Sequence, residues 1–101
     1  MDVNPADGVF GALASQPRRQ MLSFLAQTAL STAELAQRFG MSAPAVSRHL
    51  AVLARAGLVS SERQGQRVLY RLNRDLLLSA LARLADEVDG PLRRAPPREA
   101  I

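Results

Sequence analysis

A chain of 101 residues, 48 % hydrophobic and 22 % charged with few aromatics, makes one globular domain in which abundant Leu and Ala favour helix. Zero cysteines exclude a disulfide framework, a thiolate nucleophile and a Cys-based zinc site, and a single histidine argues against a His-based metal or triad site. Thirteen arginines, no lysine and nine acids give +4; from Arg38 to Arg74 seven arginines face Glu62 alone, a local +6 that suits either a polyanion-binding surface or a solvated basic face.

Asn4-Pro5 has the form of a helix start, a capping side chain followed by Pro, and Val9, Phe10 and Leu13 give that helix its apolar side. Ser15-Gln16-Pro17 repeats the signal, and Met21, Leu22, Phe24 and Leu25 line a second helix running to about Gln27. Thr28 to Leu30 reads as a short loop. Ser31 opens a third helix with a capping box, because Glu34 lies three residues on and can accept from the cap's own N–H. Ala33, Leu35, Ala36 and Phe39 form its apolar face, and Gly40 closes it in a left-handed conformation. Ser42 caps a fourth helix, with Pro44 in its first turn, that continues to about Ala56 before Gly57. Two short helices joined through Phe39-Gly40-Met41-Ser42 have the spacing of a helix-turn-helix.

Beyond Gly57 the period changes from 3.6 to 2. Residues 59–63 and 67–72 alternate around Gln64-Gly65-Gln66, which reads as a β-hairpin with Gly where positive φ is needed. Asn73 then caps a last helix from Arg74 to about Asp89, ended by Gly90-Pro91. Leu77, Leu81, Leu84, Ala85 and Val88 line one stripe of it, and Leu76 and Ala80 widen the arc beyond what a small monomer core needs. A second copy of the chain is the expected partner. The expected fold is mainly α with a small β-hairpin: a winged helix-turn-helix of five helices plus a two-stranded wing over residues 59–72. The domain spans 1–90, and the Pro/Arg-rich stretch 91–101 is expected to be a disordered tail. No apolar run approaches the roughly 18–20 residues of a membrane span, and no secretory signal opens the chain, so a cytoplasmic protein without membrane contact is expected.

At about 100° per residue the fourth helix turns Val46, Leu50 and Leu53 inward and Pro44, Ser47, Arg48, Ala51 and Arg55 outward. Small residues plus two guanidinium groups suit a helix lying in a major groove, where Arg can donate a bidentate pair to guanine O6 and N7. Ser47 can bond a base or a phosphate, and the N–H groups of Ser42 and Ala43 suit a phosphate oxygen. An ordinary surface helix with two arginines would look the same; the helix-turn-helix and the +6 stretch favour DNA. The hairpin tip adds Arg63, Gln64, Gln66 and Arg67, which can reach the adjacent backbone or minor groove. His49 sits about 60° off the apolar stripe, half-buried, able to bond a backbone carbonyl or a phosphate. It diverges by about 200° from Ser47, so the two make no nucleophile–base pair. For Arg18 and Arg19 the residues leave open a phosphate contact or a structural ion pair. Asp86, Glu87 and Asp89 read as a solvated acidic face rather than a metal site.

The runs ALASQPRRQMLSFL, STAELAQRFGMSAPAVSRHLAVLARAGLV and SSERQGQRVLYRLN resemble the winged helix-turn-helix of the ArsR/SmtB repressors over roughly residues 10–85. The resemblance implies a homodimer built on the first and last helices, a recognition helix at 42–56 and repression by occluding a promoter. It carries Ser42, Ser47, Arg48 and His49 over as DNA-contact positions, with Ala43 where the family often has Gln. Metal-sensing members place cysteines in a segment that aligns with residues 29–35, and Ser31 and Ala33 stand where the thiolates would be. Residues 74–89 hold no His for the other familiar metal site. No cofactor is expected, and the effector is a small molecule, a protein, or none. The alternative to a DNA-binding regulator is a winged-helix protein-interaction module, against which the outward Arg48 and Arg55 argue. An enzyme is the weakest reading.

Overall fold

The structure, a computed structural model, describes the backbone of residues 5–94 and the side chains of residues 8–90. In chain order it consists of α1 (Pro5–Leu13), α2 (Gln16–Leu25), β1 (Leu30–Ser31), α3 (Thr32–Phe39), α4 (Ala43–Arg55), β2 (Val59–Gln64), β3 (Arg67–Leu72) and α5 (Arg74–Arg94). The fold is the mainly helical winged helix-turn-helix that the pattern predicts. Its helix starts are fixed by serine hydroxyls. Ser15 Oγ accepts from Arg18 N at 3.4 Å, and Ser42 Oγ accepts from Ala45 N at 3.2 Å. At Ser31 the capping box is complete: its Oγ accepts from Glu34 N at 3.2 Å while Glu34 Oε1 accepts from Ser31 N at 2.8 Å. Gly40, at φ 65°, turns the chain from α3 into α4 through a conformation that a side chain would strain. The cap expected at Asn4 lies outside the described residues.

Met21, Leu35, Val46, Leu50, Leu53 and Leu58 are fully buried, so α2, α3, α4 and the start of the wing close over one core. Phe24 and Phe39 meet edge to face on its margin, ring centres 5.4 Å apart. Removing a buried Leu from such a core costs about 2–5 kcal/mol. Among the described residues every buried side chain is apolar.

Three details differ from the sequence reading. The segment read as a loop at 28–30 ends in β1, whose Leu30 and Ser31 pair antiparallel with Tyr70 and Leu69, so the sheet has three strands in the order β1-β3-β2. Two residues are too few to show an alternation. Asn73 stands at the start of α5 and its carbonyl accepts from Leu77 N, but its side chain does not cap the helix. Its Nδ2 donates to Gly57 O at 2.7 Å and its Oδ1 accepts from Ser60 Oγ at 3.4 Å. The end of the wing is thereby fastened to the end of α4. Finally, Gly90 (φ 55°, ψ −146°) breaks α5 where the sequence ends it, yet helical backbone resumes to Arg94, within the stretch read as a tail. Residues 95–101 lie outside the described residues.

Candidate nucleic-acid interface

α4 packs on α1, α2, α3 and β2 through Val46, Leu50 and Leu53, which orients its opposite face outward. Pro44, Ser47, Arg48, Ala51 and Arg55 are all exposed there, as the periodicity predicts. Ser42 and Ala43, exposed at the N-terminus of the helix, have backbone N–H groups with no acceptor among the described residues. The wing stands beside this face. β2 and β3 pair from Val59↔Leu72 to Gln64↔Arg67, leaving Gly65 and Gln66 as a two-residue turn with Gly65 at φ 64°. Positive φ at the first turn position is where a type II′ hairpin requires glycine. Arg63, Gln64, Gln66 and Arg67 are brought together at the exposed tip.

The seven arginines of the basic stretch fall into two groups. Arg38 lies over the Phe24 ring, 5.7 Å from its centre. Arg67 Nη2 pairs with Glu34 Oε1 at 2.9 Å, Arg71 Nε pairs with Glu62 Oε1 at 2.9 Å, and Arg74 Nη2 donates to Ala26 O at 2.9 Å. Arg48, Arg55 and Arg63 have neither a carboxylate nor a hydrogen-bond acceptor among the described residues. Exposed cations without an internal partner are those available to an external anion. Glu34 therefore does two things, since the same carboxylate oxygen answers the Ser31 N–H and holds Arg67 at the wing. The Ser31 N–H, then its hydroxyl and Arg67 hold the Glu34 carboxyl below its ordinary titration range, and the bond from Arg71 does the same for Glu62.

Of the two contacts that the sequence left open for Arg18 and Arg19, the structural ion pair is not formed among the described residues. They cap the C-terminal end of α1: Arg18 Nε donates to Ala12 O at 2.7 Å and Nη2 to Gly11 O at 3.3 Å, while Arg19 Nη1 donates to Leu13 O at 2.6 Å. Cations suit the negative end of a helix. His49 is half-buried, but its Nδ1 faces Arg18 Nη1 at 3.3 Å rather than a carbonyl. Burial, then the nearby charges of Arg18 and Arg48, push its titration below the ordinary histidine value. Sequence spacing carries no sign of the Arg18–His49 pairing, because its members lie 31 residues apart in the chain. Among the described residues no group of three or more His, Cys, Asp or Glu side chains could hold a metal ion, and no helix is long and apolar enough to cross a membrane.

Residues 15–61, from the cap of α2 into the wing, match the family described as bacterial regulatory protein, arsR family. The transcriptional repressor SdpR of Bacillus subtilis is 32 % identical over 75 residues, which cover 74 % of this chain and 83 % of SdpR. The chain belongs to the arsR family. The transcriptional activator HlyU of Vibrio cholerae is 40 % identical over 75 residues, 72 % of this chain and 69 % of HlyU. The homodimeric winged helix-turn-helix DNA-binding domain of Mycobacterium bovis Mb0332 superposes with a TM-score of 0.71 at 29 % identity, over 85 % of this chain and 81 % of that one. As an arsR-family protein the chain is a DNA-binding transcriptional regulator and not an enzyme.

Proposed function

We propose that the chain acts as a homodimeric repressor on an inverted-repeat operator, with α4 in the major groove and the wing on the backbone or minor groove. The observation that carries this reading is the division of the arginines: Arg48, Arg55 and Arg63 lack internal partners among the described residues and stand on the outward face of α4 and at the wing tip. Arg48 and Ser47 read base edges, Ser42, Ala43, Pro44 and Arg55 lie along the backbone, Arg63 meets a neighbouring phosphate, and Gln64 and Gln66 lie on the backbone or minor groove beside it. His49 contributes from the edge of the same helix.

Dimerisation supplies what one chain lacks. Leu76, Leu78, Leu81, Leu84 and Val88 are between 38 % and 76 % exposed along α5, an apolar patch for which the described chain has no cover. Beside it Leu13, Leu22, Ala26, Leu77, Leu78 and Leu81 line a groove of about 340 Å³ that a second copy of α5 and α1 would fill. Mb0332 is homodimeric, and α1 and α5 already pack together within one subunit here. A two-fold dimer would set its α4 helices in successive major grooves, about 34–36 Å apart. Occupying a promoter is enough to repress it, so no further activity is needed. Footprinting upstream of the chain's own gene, with a reporter fused to that promoter, tests the reading. Protection of an inverted repeat with lowered reporter output supports it; raised output would assign an activator's role, as HlyU's name states for that protein.

A further inference from the structure

The lone histidine of the chain lies at the edge of α4, and its only partner among the described residues is Arg18. Arginine carries five N–H donors and no acceptor, and it stays protonated. A contact of Arg18 Nη1 with His49 Nδ1 therefore requires Nδ1 to be the acceptor, with the ring proton on Nε2. The guanidinium is not free to turn away, because Nε and Nη2 are tied to the carbonyls of Ala12 and Gly11 at the end of α1. A second proton on the ring would break this contact and set an imidazolium beside Arg18 from α2 and Arg48 from α4 itself. The Nε2 position has no acceptor among the described residues.

We infer that Arg18 is a positioning residue for DNA recognition, fixing His49 as a neutral imidazole whose Nε2–H is a donor to the nucleic acid. The inference rests on the reading of α4 as the recognition helix and adds to it the chemical form of one contact. A neutral donor addresses a base acceptor (guanine O6 or N7, adenine N7, thymine O4) or a phosphate oxygen without displacing a counterion. A histidinium at the same place would bind phosphate as a cation and add to the salt dependence.

Two measurements test this together. The first is long-range proton–nitrogen NMR of the full chain above the ring's titration, where a single histidine leaves no ambiguity of assignment. A protonated Nε2 and a bare Nδ1 are expected, with the Nδ1 signal and the ring's titration both moving in Arg18→Gln. The second is operator affinity across a salt series for His49→Ala, Arg18→Gln and the double variant, each checked by thermal unfolding. His49→Ala is expected to weaken binding about two- to tenfold with the salt slope unchanged, and Arg18→Gln to add nothing once His49 is gone. A proton on Nδ1, a slope that falls by about one unit per histidine, additive losses, or a silent His49→Ala would each overturn the inference. Failure of the α4 reading itself shows differently, since Arg48→Ala and Arg55→Ala are then silent as well.

Discussion

At the scale of single residues, we propose that the three arginines without internal partners among the described residues divide into a base reader, Arg48, and two backbone contacts, Arg55 and Arg63. Arg48→Ala should cost about 1–3 kcal/mol on the operator and relax preference at one base pair per half-site, measured by comparing operator and scrambled duplexes. Arg63→Ala should weaken all duplexes alike and make the salt slope shallower by about one unit for each phosphate no longer neutralised. Arg67, which the sequence groups with Arg63, is held by Glu34 at 2.9 Å, and its removal should change the slope less than removal of Arg63. Glu34 itself gives a pH test. Its carboxyl is held below its ordinary value of 4.5, so its contribution to stability is present above that pH and lost as pH falls through the folded titration point. Glu34→Gln keeps the capping acceptor but loses the charge. Urea titrations should show the native chain ahead of this variant at neutral pH, with the gap closing below pH 4.5.

At the scale of elements, what the sequence discloses is what lies close along the chain. Ser31 and Glu34 are three residues apart, so the capping box is legible, as are the serine caps at 15 and 42 and the left-handed glycines at 40 and 65. The inward face of α4 follows from period alone. Contacts between distant residues are not written in any local pattern. β1 exists because Leu30 and Ser31 find Tyr70 and Leu69, and Asn73 forgoes its cap for the carbonyl of Gly57, sixteen residues back. His49 and Arg18 are 31 residues apart, and each taken alone suggests other partners. The candidate site residues are thus legible as an exposed face, while their internal pairings emerge only in the fold. The capping box carries its own test. Ser31→Ala should cost about 0.5–2 kcal/mol in urea unfolding and should also loosen the wing, because Glu34 is shared with Arg67.

At the scale of the whole molecule, one chain presents the outward basic face of α4 and an apolar stripe on α5 uncovered among the described residues, and the proposed dimer joins the two. Leu81→Glu or Leu84→Glu, placed in the exposed stripe of α5, should shift sedimentation from dimer to monomer and weaken operator binding far more than removal of any one side chain from the recognition face. Zinc should leave operator affinity unchanged, since the chain has no thiolate and one histidine. In the proposed dimer the outward face of α4, presented twice, reads sequence. Selection of duplexes from a random pool by the full chain, run beside Arg48→Ala, tests it most directly. The native chain should enrich an inverted repeat with half-sites about one helical turn apart, and the variant should lose preference at one position in each half. No enrichment over the input pool, or the same motif from both proteins, would contradict it.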